Sequence, residues 1–134
     1  MFKNLSPGAI GISADMKPGL ILAKKFGFEG LDINIHEAKT MADEQSIDEV
    51  KALWEGVKMG AWSFPLTWNA PEDEYKGSLA RLPDIAAFAA ELGCYRTSIA
   101  IPPASNDKTY RENWDFHVTR FRSIGEILAD HGHV

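Results

Sequence analysis

Between residues 30 and 37 the chain reads GLDINIHE. Leu31, Ile33 and Ile35 alternate with Asp32, Asn34 and His36, so a strand here presents one apolar and one polar face. The polar face ends in His36, with Glu37 beside it. A histidine at that point can hydrogen-bond a hydroxyl or stabilise a polarised oxygen, and Asn34 and Glu37 add polar contacts. The plainer alternatives are a satisfied loop histidine and a solvated acid opening a helix. A second run, GAWSFPLTW from Gly60, carries Trp62 and Trp68. An indole face stacks on the C–H face of a sugar ring and its N–H is a donor, which suits Trp68. Trp62 lies inside the run and is expected in the core. Trp54 and Trp114 fall in helical segments and are expected to pack.

Other groups carry less chemistry. His131 and His133 have an alternate spacing that suits a metal only weakly, at a frayed chain end. His117 sits mid-helix near Phe116 and Phe121 and is structural or exposed. Cys94 precedes a strand without a histidine partner, which disfavours a nucleophile. Arg96 lies at a strand's start, the wrong end for a ligand, and is expected to serve stability. Glu72, Asp73 and Glu74 form a solvated helix N-terminus. No GxGxxG, Walker A or HExxH pattern is present.

The elements that must position these residues alternate in type. Strands are expected at Ala9–Ser13, Gly30–Ile35, Gly60–Leu66 and Tyr95–Ile101, the last stopped by Pro102 and Pro103. Helices are expected over Met16–Phe26, with Asp15 as N-cap and Pro18 in the first turn, and over Ser46–Val57, opened by a Ser46–Glu49 capping box. Tyr75–Leu92 forms a third, with Pro83 as a kink or a late start, and Thr109–His131 a fourth, opened by Thr109 and Glu112 and ended by Gly132. Four βα units without a hairpin signal imply parallel strands with right-handed crossovers. Each strand has one bulky and one small or polar face. That favours barrel strands, covered by helices on one side only, over a doubly wound sheet buried on both.

The chain has 134 residues, one domain's worth, whereas a complete eight-unit barrel takes about 250. With 14 basic against 19 acidic residues the net charge is −5, which disfavours nucleic acid or an anionic membrane as partner. One cysteine cannot form an internal disulfide, and no run has the length of a membrane span or a signal peptide. A cytoplasmic setting is expected.

The runs GLDINIHEA and GAWSFPLTW and the stretch ELGCYRTSIAIPPASNDKTYRENWDFHVTRFRSIGEILADHG resemble the sugar phosphate isomerase/epimerase family, over residues 8 to 132. The resemblance implies a xylose isomerase-like TIM barrel, of which this chain covers the N-terminal half. It implies an activity that isomerises or epimerises a carbohydrate, with a divalent metal (Mn²⁺, Mg²⁺, Co²⁺ or Zn²⁺) polarising a carbonyl and hydroxyl pair while carboxylates move a proton. The family's metal ligands come from strands five to eight. No metal ligand or catalytic pair is therefore carried over, no cofactor is expected on this chain alone, and the isolated chain is expected to be inactive.

What this half can supply is one wall of a pocket, formed at the C-terminal strand ends. The residues expected there are Ser13 and Asp15, Asn34, His36 and Glu37, Trp68 and Asn69, and Pro102 and Ser105, with a small-molecule carbohydrate as ligand. Three readings differ in class. The chain is a truncated enzyme, ending at His133-Val134 where a fifth strand would begin. Alternatively it is a half-barrel that closes as a homodimer or with a complementary C-terminal half, as a carbohydrate-binding or structural module. The third reading is an independent flavodoxin-like α/β domain.

Overall fold

The computed structural model describes residues 1–133; Val134, at the expected start of a next strand, lies outside them. Strands β1 (Asn4–Leu5), β2 (Gly30–Ile33), β3 (Lys58–Ser63) and β4 (Thr97–Ser98) form one parallel sheet in the order β1-β2-β3-β4. Between them lie α1 (Met16–Lys25), α2 (Ile35–Glu44), α3 (Ile47–Leu53), α4 (Glu72–Leu79) and α5 (Leu82–Glu91), and α6 (Tyr110–Asp130) follows β4. Sequential order and parallel pairing are those of consecutive βα units, four of the eight in a TIM barrel.

The first strand is not where the alternation placed it. Pro7–Ile10 forms a 3-10 turn, closed by Gly11 in the left-handed region at φ 73°. Pro7 has no N–H to give a ladder and suits the first position of such a turn. Ile10 and Ile12 are left exposed. The pairing falls upstream instead. Asn4 and Leu5 register with Gly30 and Leu31, and the Lys3 carbonyl accepts the N–H groups of Glu29 (2.8 Å) and Gly30 (3.1 Å).

The second strand ends early, because Asn34 leaves the ladder to become the N-cap of α2, a helix absent from the sequence expectation. Its Oδ1 accepts the N–H groups of His36 (3.1 Å) and Glu37 (3.3 Å). Ser46 caps α3 through Glu49 N–H at 3.1 Å, one half of the expected capping box, but α3 stops at Leu53 and not Val57. The expected helix over 75–92 is two helices. Pro83 cannot donate to the carbonyl four residues back, and α5 restarts with Pro83 in its first turn. Both halves of the Thr109–Glu112 capping box are present at α6. β4 is only two residues long. It pairs with β3 alone, β3 ends at Ser63, and Ile99 and Ile101 beyond it are exposed.

The core lies between the sheet and its helices. Leu31, Ile33, Val50, Trp62, Leu82 and Ile124 are each at most 2% exposed. The other face of the sheet is open, and Phe2, Asn4, Asp32, Gly60, Arg96 and Ser98 line it. Bulky residues on the covered face and small or polar ones on the open face match the asymmetry read from β2.

Candidate functional site

At the carboxyl ends of the strands lies a cleft of about 390 Å³, within the range of small-molecule sites. Its lining comes from the segment after β1 (Ser6 to Asp15), the end of β2 (Asp32 to Asn34), Glu37 of α2, the end of β3 (Ala61 to Ser63) and Ser98 of β4. This is where barrels built from βα units place their ligands.

Asp32 holds the floor of the cleft. The β2–β3 register shifts between Leu31↔Met59 and Ile33↔Trp62, so Gly60 and Ala61 together oppose Asp32. Such a bulge frees one N–H from the ladder. The Asp32 Oδ1 accepts it, from Ala61 at 2.9 Å, and also accepts Asn4 Nδ2 at 2.6 Å from β1. One carboxylate thereby ties three strands together across the open face. Gly60 is required there, because a Cβ would collide with the side-chain oxygens of Asn4 and Asp32.

Glu37 ties the rim. Both its oxygens lie within hydrogen-bond distance of the Met16 N–H, the first of α1, at 3.0 and 3.1 Å. Asp15 occupies the N-cap position as expected, yet its own side chain makes no capping bond. Ser63 Oγ accepts the Ile35 N–H at 3.2 Å, so β3 also fastens the start of α2.

Of the residues singled out in the sequence, Ser13, Asp15, Asn34 and Glu37 line the cleft together. His36 does not: it is an exposed residue in the first turn of α2 and not at a strand end. Trp68 is 7% exposed, and its ring packs against His117 (5.1 Å between centroids) and Phe121 (5.5 Å) under α6. It has no free face at the cleft. Asn69, Pro102 and Ser105 also lie outside the lining. Trp54 and Trp62 are buried as expected, whereas Trp114 is 54% exposed, on the flank of α6 turned away from the core. His133 is not frayed. It is buried, its Nε2 bonds the Ala86 carbonyl at 2.9 Å, and its ring meets the Trp62 ring edge-on at 5.5 Å.

Two further groups bear on the site. Cys94 is buried beneath β3, with Sγ 3.6 Å from the Gly60 carbonyl, and burial pushes its thiol up to about 11. Arg120, which the sequence reading passed over, is 7% exposed. Its Nη1 donates to the carbonyls of Trp68 and Ala70, both at 2.8 Å, and its Nη2 to Glu72 at 3.1 Å. The guanidinium lies over the rings of Tyr75 (4.2 Å) and Phe116 (4.6 Å), and Tyr75 Oη donates back to the Arg120 carbonyl. This buried cation fixes the loop that follows β3. Its signal in the sequence is positional: Asn113, Arg120 and Ile124 share the buried stripe of α6.

Among the described residues, no group of three or more His, Cys, Asp or Glu side chains is placed to hold a metal ion. Of the cleft's carboxylates, Asp32 and Glu37 are already engaged by N–H donors and Asp15 has no other ligand group clustered with it, so the residues present do not fit the divalent metal that the resemblance implies.

No protein-family model matches the sequence, and no curated protein matches it significantly. Solved structures do match. A xylose isomerase domain protein from Alicyclobacillus acidocaldarius superposes over 99% of this chain with a TM-score of 0.79 and 23% identity. The fold is that of half a (β/α)8 TIM barrel. A D-psicose 3-epimerase from Clostridium cellulolyticum, determined with D-tagatose, matches 99% of the chain with a TM-score of 0.68 and 18% identity. A 3-keto-D-glucoside 4-epimerase from E. coli matches all of it at 0.66 and 17%. The chain spans about half the length of each of these structures, 48%, 50% and 54% in turn. No helix among the described residues is long and apolar enough to cross a membrane.

Proposed function

We propose that this chain supplies the amino-terminal wall of the carbohydrate pocket of a sugar isomerase or epimerase. The observation that carries the reading is the cleft at the strand ends, lined by the hydroxyls of Ser6, Ser13, Ser63 and Ser98, the amide of Asn34 and the carboxylates of Asp15, Asp32 and Glu37. Polyols are recognised by such directional donors and acceptors. The similarity to a psicose epimerase and a keto-glucoside epimerase adds sugars as the substrate class. The role assigned to these residues is to bind and orient the sugar. Metal-assisted proton transfer is not assigned to any of them, since no ligand group is present among the described residues.

A ¹⁵N NMR titration with a neutral ketohexose tests the reading. Shifts concentrated at Ser13, Asn34, Glu37, Ala61 and Ser63 are expected. No shifts at tens of millimolar sugar would sink it.

The pocket wall is proposed to function in an assembly, with a complementary half-barrel or a second copy. The observation favouring this is the edge beyond β4, where Ile99, Ile101, Tyr110, Trp114 and Val118 are between 39% and 74% exposed. An unpaired parallel edge beside exposed aromatics invites another βα unit. Light scattering on the purified chain is expected to give a mass near twice 14.8 kDa if the chain closes on itself. A monomer would eliminate the homodimer and leave the complementary half.

A further inference from the structure

We infer that the opposite end of the sheet, where the strands begin, holds a second site, for a small organic oxyanion: a carboxylate or phosphate group carried on an apolar body. The inference stands apart from the carbohydrate reading and uses none of the cleft residues.

A hollow of about 390 Å³ lies at this end. Its lining comes from residues far apart in the chain. Lys51 is in the last turn of α3, Lys58 opens β3, Arg96 stands just ahead of β4, and Phe2 lies ahead of β1. Three cations thus converge on one hollow in a chain of net charge −5. Gathering like charges is unfavourable until an anion answers them. Two of the three are held by one ring. Lys58 Nζ lies 4.9 Å and Arg96 Cζ 5.4 Å from the centroid of Phe2. The attraction to the ring anchors both side chains without neutralising either charge. Gly30 is the seat of that ring, since a Cβ there would collide with it.

These charges are largely unspent. Lys58 meets Glu29 at 3.6 Å, but the two side chains are 60% and 51% exposed and water screens the pair. Neither Lys51 nor Arg96 has a carboxylate within ion-pair distance among the described residues. A guanidinium presents a planar fork to two oxygens of one carboxylate or phosphate, and an ammonium adds a point charge beside it. Arg96 thereby gains a role beyond the stability that its place at a strand's start suggests.

The floor of the hollow sets the rest of the ligand. Trp54, Val57 and Leu92 line it and are almost completely buried. An inorganic ion would leave this apolar floor unused, whereas an apolar body covers it. The buried indole N–H of Trp54 also has no hydrogen-bond partner among the described residues. An unpaired buried donor is unfavourable, and a ligand oxygen relieves it.

The test is a ¹⁵N NMR titration of the full chain with phenyl phosphate, benzoate, benzyl alcohol and inorganic phosphate. At about 20 mM salt, phenyl phosphate or benzoate is expected to shift the amides of Lys58, Gly93 and Arg96 and to bind at least about tenfold more tightly than benzyl alcohol or inorganic phosphate. The tighter of the two anions identifies the head group. The advantage over benzyl alcohol should shrink at about 500 mM salt. Arg96→Gln should weaken the anion at least about threefold. Lys51→Gln should do the same, and it keeps the test valid if the Arg96 change disturbs Phe2, because Lys51 is exposed and makes no side-chain hydrogen bond or ion pair among the described residues. Four results would overturn the inference: benzyl alcohol binding as tightly as the anions, inorganic phosphate binding as tightly as phenyl phosphate, shifts equally large at the exposed Lys24 and Lys25 of α1, or no shifts at the hollow with tens of millimolar anion. Ser13, Asn34 and Ser63 are expected to stay unshifted, so the result is read separately from that of the sugar titration.

Discussion

Truncating Arg120 to alanine should be among the most damaging single changes in the chain. The guanidinium makes three hydrogen bonds, two of them to the carbonyls of Trp68 and Ala70. Its bond to Glu72 counts for little, because the Glu72 side chain is 58% exposed and water screens the pair. The two carbonyls count for more. Leaving a buried acceptor without a partner costs about 1–3 kcal/mol, and Ala70 sits at the cheaper end because it is only half-buried. Loss of the cation from the faces of Tyr75 and Phe116 adds about 0.5–2 kcal/mol. The sum, with allowance for non-additivity, is about 3–4 kcal/mol, a large share of the 5–15 kcal/mol typical of a domain. Urea unfolding followed by tryptophan fluorescence measures it, and at a slope of about 1–3 kcal/mol/M the midpoint should fall by at least about 1 M. Arg120→Lys keeps one charged donor and should recover part of the loss. Glu72→Gln should cost under about 1 kcal/mol. An Arg120→Ala loss under about 1 kcal/mol, or one equal to that of Glu72→Gln, would refute the assignment of the stabilisation to the two carbonyls.

Two further predictions concern ionisable groups. Cys94, with its thiol raised to about 11 by burial, should resist alkylation by iodoacetamide at pH 8 in the folded chain and react promptly in urea; equal rates in both states would contradict its placement. Glu112 is held below its ordinary carboxylate value by hydrogen bonds from the Thr109 hydroxyl and N–H, so the stability it contributes is complete above the ordinary range and is lost as pH falls through the lowered folded value. The amide of Thr109 should therefore gain hydrogen-exchange rate, relative to mid-helix amides, below about pH 4, and a Glu112→Gln chain, which has no carboxylate to titrate there, should show no such step.

The alternation of strands and helices was legible in part, where a helix start carries its own chemistry. Ser46 and Thr109 cap where they were expected to, and Pro83 restarts a helix for lack of an N–H. What was not legible depended on partners distant in sequence. Ala9–Ser13 alternates like a strand, yet alternation over only five residues is weak against a Pro7 turn and a left-handed Gly11, and pairing was decided by what lay beside Gly30. GLDINI has a strand's pattern to its end, but Asn34 has a better use for its side chain, capping α2, than its backbone has in the ladder. His36 was thereby carried off the strand, and Trp68 was drawn under α6 by the loop that Arg120 fixes. Asn34 and Glu37 reached the cleft, but as residues that close helix ends: Asn34 caps its own helix through His36 and Glu37, whereas the bond of Glu37 to Met16 spans 21 residues and is invisible to local periodicity.

Asp32 shows why a sheet with one uncovered face can still present a defined cleft. A parallel strand end with a bulge would normally leave a loose N–H and a mobile rim. Here the extra N–H, on Ala61, and the amide of Asn4 converge on one oxygen of Asp32, so the charge that sits in the cleft is also the bolt joining β1, β2 and β3. The geometry is possible only because position 60 carries no side chain. A fixed negative charge at the floor and a second at the rim, on Glu37, cost little while the cleft is open to water. Once a ligand or a further set of βα units covers it, screening falls and both charges act at closer to full strength. The same two carboxylates that organise the half-barrel then remain acceptors for any donor brought to the cleft.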